Sequence, residues 1–528
     1  MYKVLISDKL EKEGLDILTE EKGIQVDCKF GIPAAELKTI VKDYDALIVR
    51  SGTQVTADII EAAAKLKVIG RAGVGLDNVD LAAATKKGIV AMNTPAGNTT
   101  STAEHTMSMI MALSRNIPQA VASVKQSKWE RSKFTGVELY GKTLGIIGLG
   151  RIGSTVAKMA QGFGMKIIGF DPYLPAEIAG KNGIEVVDLQ TIYKTADYIT
   201  VHIPKTDETT NMIGEKEIAL MKKTVRLINC ARGGIIDEKA LVVALKEKRI
   251  AGAAIDVYDV EPPDFTNELF KLDNCVTTPH LGASTTEAQV NVAIEIAHAV
   301  KDALLGRGIR NAANFPSLSA ESYKALEPYI SLGEKMGKFA GQLVQGAIKT
   351  VTISYGGAPT QHKLAPVTMA ITKGILTPIL GETVNTINAM NMIKDRGINL
   401  QEIVSNQVEE YVNRIAIDIT TDKESLSVWG TLTSNNQPRI VKINNVYVEA
   451  NPSGNILFIM NNDQPGIVGA VGTVLGGESI NIASITFGRE SRGGLAISVV
   501  NVDSEIPEAG IEKLRKTKNI LFVKTIKV

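Results

Sequence analysis

Cysteine is scarce in this 528-residue chain: Cys28, Cys230 and Cys275 stand far apart, and no CxxC pair occurs. Their odd number and spacing argue against a disulfide framework and a thiolate metal site, so no metal is expected and a reducing cytoplasm fits best. A charge excess is lacking too, with 58 Lys plus Arg against 57 Asp plus Glu and a net charge of +1. No global field is available to hold nucleic acid or a membrane surface, and any affinity for anions must be local. Apolar runs of membrane-spanning length are absent. The opening MYKVLISDKLEKEG mixes charges into its one apolar stretch and lacks the continuous core of a secretory signal. Aromatic residues make up 5%, hydrophobic 44% and charged 22%, the ordinary composition of a globular protein. There is no fixed-period repeat and no low-complexity tract.

The length suggests three or four domains. Runs 3–8, 45–50 and 66–70 read as strands and 9–22 as a polar helix, which implies parallel α/β layers. A long helical pattern over 99–126 leads into a second strand-helix series, with strands at 143–148, 166–171, 197–203, 225–229, 252–256 and 275–278. A Ser/Thr-capped helix over 282–306 is expected to lead the chain back to the first unit, and 306–318 reads as a linker. Residues 319–450 read as α+β, with helical stretches at 327–347 and 383–395 and β-rich runs at 426–433 and 440–448. Beyond them, strands 455–460, 480–487, 495–502 and 519–527 alternate with helices 466–476 and 507–516 in a βαββαβ order.

The segment GIIGLGRIGSTVAKMAQGFGMKIIGFD holds Gly148, Gly150 and Gly153 in GxGxxG spacing, directly after an apolar strand and opening a helix. The first glycine allows the tight turn, the second lets backbone approach a pyrophosphate, and the third lets the helix pack on the sheet. Asp171 ends the next strand, where a carboxylate meets ribose hydroxyls and repels a 2'-phosphate. NAD rather than NADP is the expected cofactor. Arg232 in NCARGGIID, Glu261 in DVYDVEPPD and His280 in TTPHLGAS each follow a predicted strand, at the sheet edge where ligands of open α/β sheets bind. An imidazole suits removal of a hydroxyl proton near neutral pH, a carboxylate can fix its tautomer, and an arginine can hold a substrate carboxylate bidentately. His105 and His298 fall within helical patterns and read as structural, whereas the loop of His202 should pass near the cofactor.

Taken in order, GLGRIG, FDPY, HIPKT, NCARGG, AAIDVYDVEPP and TPHLGAST resemble the D-2-hydroxyacid dehydrogenase family over residues 1–315. The resemblance implies a Rossmann-type NAD domain (98–284) inserted in a flavodoxin-like substrate domain (1–97 and 285–315), with Arg232, Glu261 and His280 catalytic. Implied NAD contacts are Val74, Arg151, Ile152, Asp171, Ile203, Pro204, Cys230, Ala231, Arg232, Asp256, His280, Gly282 and Ala283, beside the three glycines. The match is nearest to members that oxidise 3-phosphoglycerate to 3-phosphohydroxypyruvate at the start of serine biosynthesis. Their substrate's phosphate and carboxylate imply contacts from Arg50, Arg71 and Arg131, with Ala72, Gly73, Val74, Asn98, Arg232 and His280 lining the same cleft. Residues 316–450 resemble an intervening assembly domain, and 451–528 an ACT domain whose Asp463 and Asn481 match positions that contact L-serine across paired copies. That implies a feedback effector and a homotetramer. Two other readings stay open: a reductase for hydroxypyruvate, glyoxylate or 2-oxoglutarate, and an NAD-sensing scaffold or corepressor, since fold alone does not set function.

Overall fold

Short apolar runs dictate the first layer. In the computed structural model, which describes residues 1–316, 320–405, 411 and 413–528, strands Tyr2–Ile6, Ile24–Cys28, Ala46–Val49, Val68–Arg71 and Val90–Met92 form one parallel sheet. Its order (24–28, 2–6, 46–49, 68–71, 90–92) is flavodoxin-like, with the switch point between strands 2–6 and 46–49. Strand 46–49 is buried throughout, as expected for a parallel sheet covered on both faces. Strands 24–28 and 90–92 are not read in the sequence: IQVDC does alternate apolar and polar residues but is brief and follows a charged stretch, and 90–92 has only three residues. The helix read over 9–22 covers only Lys12–Thr19.

Seven parallel strands build the second sheet, in the order 275–277, 252–255, 226–229, 198–201, 143–147, 166–170, 185–186, the doubly wound dinucleotide-binding topology. The helical pattern at 99–126 is two helices, Thr99–Arg115 and Ile117–Lys125. Asn116, left-handed at φ 51°, breaks it just before Pro118, whose missing N–H suits the start of a new helix. Helix Thr286–Leu304, capped by the Thr285 side chain accepting from Ala288 N–H at 3.1 Å, returns the chain to the first sheet. There it packs so closely that a Cβ at Gly70 would meet Val300 at 2.7 Å. The two sheets thus turn their carboxyl edges toward a common cleft.

Residues 317–319, at the end of the expected linker, lie outside the described residues. The third sheet (order 399–405, 348–356, 414–421, 425–432, 438–443, 446–450) is antiparallel except for its first pair. Two long helices, Ala320–Leu343 and Ala365–Leu380, pack on each other with backbone nearly in contact. The β-rich run at 440–448 is a hairpin turning at Asn444, whose φ is 50°. The fourth sheet (482–489, 495–502, 455–462, 520–527) carries helices Ile467–Gly477 and Glu508–Arg515 on one face, completing the βαββαβ unit.

The other face of the fourth sheet has no core of its own. Phe458, Ile497, Val499 and Ile526 join Leu332, Met336 and Phe339 of helix 320–343 in one apolar cluster, with the rings of Phe339 and Phe458 edge to face at 6.2 Å. Gln342 and Lys527 exchange two hydrogen bonds, 2.8 and 3.0 Å, along the same seam. The third unit touches the first through Asn385, whose Nδ2 donates to the Gly88 carbonyl at 2.9 Å. Among the described residues no helix is long and apolar enough to cross a membrane.

The helix pair supplies a test. A Cβ at Gly337 would lie 2.3 Å from the Ile371 carbonyl oxygen and 3.0 Å from Ile375 N, backbone atoms that cannot swing aside. Gly337→Ala should therefore destabilise the C-terminal half by about 1–3 kcal/mol. Gly472, mid-helix with nothing within 4 Å, should gain about 0.5–1 kcal/mol as alanine. Scanning calorimetry checks both signs.

Candidate active site

Strand 143–147 ends at Gly148, whose φ of 95° turns the chain into the helix Arg151–Gly162. A Cβ there would strike the His202 carbonyl oxygen at 2.6 Å, and one at Gly153 would lie 2.0 Å from the Gly148 carbonyl oxygen. At Gly150 a Cβ would meet nothing within 4 Å, so the backbone at the helix N-terminus is open to a pyrophosphate. Asp171 accepts from Leu149 N–H at 2.9 Å and Tyr173 N–H at 2.8 Å, which fixes a carboxylate beside the glycine turn. The adjoining cavity is lined by Val74, Ile152, Ile203, Pro204, Cys230, Ala231, Gly282 and Ala283, together with Asn98, Thr102, His202 and His280. Burial raises the Cys230 thiol and pulls the His202 imidazole down to about 4, so both line this cavity uncharged at neutral pH. Apolar walls, an open amide cradle and an acid at the ribose end fit NAD.

The placement of His280 and Glu261 follows from one buried carboxylate. Asp256, fully buried after strand 252–255, accepts from Thr278 Oγ1 at 2.6 Å, Leu281 N–H at 2.8 Å and Gly282 N–H at 2.9 Å, and lies 3.1 Å from His105 Nε2. Burial pushes its carboxyl up, and His105, Thr278 and Leu281 more than offset that. His280 donates its own N–H to the Asp256 carbonyl at 2.9 Å and sits left-handed at φ 54°, uncommon for a non-glycine residue. Its Nδ1 lies 2.6 Å from Glu261 Oε2, while Glu261 Oε1 accepts from Tyr258 N–H at 3.0 Å. With Nδ1 committed, Nε2 is the nitrogen left for a substrate proton.

Arg50, Arg71 and Arg232 converge across the cleft, with Ala72, Gly73, Val74, Asn98, Glu261 and His280 in the same wall. Burial, then the Arg232 and Arg50 charges, pull the Arg71 guanidinium below its ordinary value, only partly countered by Asp77 and Asp8. Arg71 Nε and Asn98 Oδ1 are buried without a hydrogen-bond partner. Arg232 donates Nε to Asp77 at 3.1 Å and Nη1 to the Ala231 carbonyl at 2.7 Å. A small polyanion relieves such a cluster of like charges. Arg131 differs from the other expected cations: it lies exposed on the turn Arg131–Phe134 and does not line the cleft within one chain.

Sequence reasoning missed Ser51, Asp77, Thr102 and Gln289, which line the cleft from motifs of no marked chemistry. In the last unit, Asp463 and Asn481 are not joined within one chain. Asp463 accepts from Gly493 N–H at 3.0 Å and Arg489 Nη1 at 2.9 Å, while Asn481 donates to Asp503 at 2.7 Å.

A doubly wound nucleotide domain facing a flavodoxin-like sheet, with an Arg, Glu and His set in the cleft between them, defines an NAD-dependent dehydrogenase of 2-hydroxy acids. Residues 107–282 match the NAD-binding domain of D-isomer specific 2-hydroxyacid dehydrogenases, 325–444 the D-3-phosphoglycerate dehydrogenase intervening domain, and 455–519 the ACT domain. D-3-phosphoglycerate dehydrogenase of Methanocaldococcus jannaschii is 45% identical over the full length of both chains, and that of Bacillus subtilis 41% over 100% of this chain and 99% of its own. A solved D-lactate dehydrogenase of Aquifex aeolicus, complexed with NAD and lactic acid, is 30% identical and covers 60% of this chain and 100% of its own at a TM-score of 0.52. The chain belongs to the D-3-phosphoglycerate dehydrogenase family.

Glu261 supplies the test of the dyad. Burial alone would raise its carboxyl, yet the hydrogen bonds from His280 and Tyr258 N–H hold it below the usual range. A depressed carboxyl keeps its charge above that lowered value, so its support for an imidazolium is lost only as the pH falls through it. Glu261→Gln should therefore move the acid limb of the kcat/KM profile for alcohol oxidation to lower pH and slow turnover about 10²-fold or more. An unmoved limb would break the couple.

Proposed function

We propose that His280 removes the C2 hydroxyl proton of 3-phosphoglycerate through Nε2, with Glu261 holding the ring tautomer and stabilising the imidazolium. Bound NAD supplies the hydride acceptor. Arg232 holds the substrate carboxylate and the developing carbonyl, and Arg50 and Arg71 neutralise the phosphate, giving 3-phosphohydroxypyruvate. The observation that carries this reading is the 2.6 Å contact between His280 and Glu261 in a cleft shared with three arginines. The arginine trio and the ACT unit favour the phosphorylated substrate over hydroxypyruvate, glyoxylate or 2-oxoglutarate.

The ACT unit is read as the receptor for an amino-acid effector, L-serine, with Asp463 and Asn481 contributed by paired copies. A homotetramer is supported by two separate apolar patches: Ile117, Val121, Val124 and Trp129 on one helical arm, and Val468, Ile485 and Phe487 on the ACT unit. Two independent two-fold interfaces generate a dihedral tetramer.

The test is the initial rate of NADH formation from 3-phosphoglycerate and NAD at alkaline pH, where the released proton favours oxidation. Turnover suppressed by L-serine is expected. Turnover indifferent to L-serine would remove it as the ligand of Asp463 and Asn481, and no turnover would overturn the substrate. His280→Asn should lower kcat about 10²–10⁴-fold with NADH binding retained by fluorescence titration.

A further inference from the structure

Gln289 lies in the first turns of helix 286–304, which leaves the nucleotide domain and packs on the sheet of the substrate domain. Its carboxamide is used at both ends. Nε2 donates to the Ala283 carbonyl at 2.9 Å, and Oε1 accepts from Arg50 Nη2. The chemistry fixes the amide's orientation, since a guanidinium only donates and a carbonyl only accepts. Ala283 lies three residues beyond His280, on the loop held by Asp256. One side chain therefore ties an arginine at the end of strand 46–49 to the loop that carries the proton acceptor.

Charge gives the contact its meaning. Arg50 Nη1 donates to the Lys9 carbonyl at 3.2 Å, so the guanidinium is held by two neutral oxygens, those of Lys9 and Gln289. The nearby Asp8 carboxylate is taken up elsewhere, accepting from Arg50 N–H at 2.6 Å, Thr53 N–H at 3.1 Å and Thr53 Oγ1 at 2.9 Å. The cation is thus aimed without a carboxylate bonded to its guanidinium, which leaves it able to meet an anion in the cleft.

We infer that Gln289 is a positioning residue for the phosphorylated substrate: it aims Arg50 at the phosphate and sets that cation's distance from the His280 loop. This rests on the assignment of Arg50 to the substrate phosphate. A glutamate at this position would aim the guanidinium as well but cancel its charge, and a methionine would preserve side-chain length while releasing it.

Phosphohydroxypyruvate reduction with NADH reads the difference. Gln289→Met should raise the KM for phosphohydroxypyruvate about tenfold, while the KM for NADH and the thermal midpoint stay at their wild-type values. Gln289→Glu should raise it further through charge cancellation. In an Arg50→Met background, adding Gln289→Met should change that KM less than twofold, because the group it acts through has gone. Equal, additive effects in both backgrounds, or an unchanged KM in both single variants, would overturn the inference. A wild-type protein without activity on phosphohydroxypyruvate would instead overturn the substrate assignment beneath it.

Discussion

A carboxylate cut off from water must find donors among its neighbours or lose its charge, and Asp256 finds them in the loop that carries His280. Its two oxygens collect Thr278 Oγ1 and the backbone N–H groups of Leu281 and Gly282, and its own carbonyl takes the N–H of His280. Four successive ties leave the loop little freedom. They hold His280 in a left-handed backbone conformation and deliver its ring to Glu261, while Gly282 and Ala283 face the cofactor cavity. Backbone strain of this kind persists where its surroundings over-determine it. His105, on the helix that crosses under the nucleotide sheet, supplies the remaining contact to Asp256.

Electrostatics in the cleft follow an opposite logic. The site gathers Arg50, Arg71 and Arg232 with few counter-charges, and the nearest acids are largely engaged by backbone groups or, for Asp77, by Arg232 on the exposed rim. Like charges held together are costly in the free protein, and the cost is removed when a polyanion arrives. Nearly balanced total charge makes this local: no global field draws anions, and the positive potential is concentrated in the cleft.

How much of this could be read in the sequence depended on how local the chemistry is. The glycine turn, Asp171 and the Arg232, Glu261 and His280 motifs are legible because each is a strand end followed by a residue with a distinctive task. The βαββαβ order of residues 451–528 is legible for a similar reason, with clean apolar runs between turn signals. Strand 185–186 has only two residues, and the break at Asn116 rests on one left-handed backbone angle inside an otherwise continuous helical pattern. Strands 348–356, 399–405 and 414–421 pair across long separations and left no distinct signal. Gln289 and Asp77 have ordinary surroundings in sequence, and their roles come from partners 239 and 155 residues away. Arg131 shows the converse: its local motif matched, yet within one chain it sits on an exposed turn outside the cleft lining.

The apolar cluster that runs from helix 320–343 into the fourth sheet has a consequence for how this protein can be divided. A boundary drawn near residue 450 separates two recognisable sequence units, but Phe458, Ile497, Val499 and Ile526 beyond it cover Leu332, Met336 and Phe339 before it. Losing the last unit strips that cover and leaves a broad oily face on whatever remains. The earlier seam is mixed: Asn385 bonds to Gly88, and Ile387 beside it is buried in the apolar core under the first sheet. The two C-terminal units thus share one core, and neither can be removed without uncovering the other.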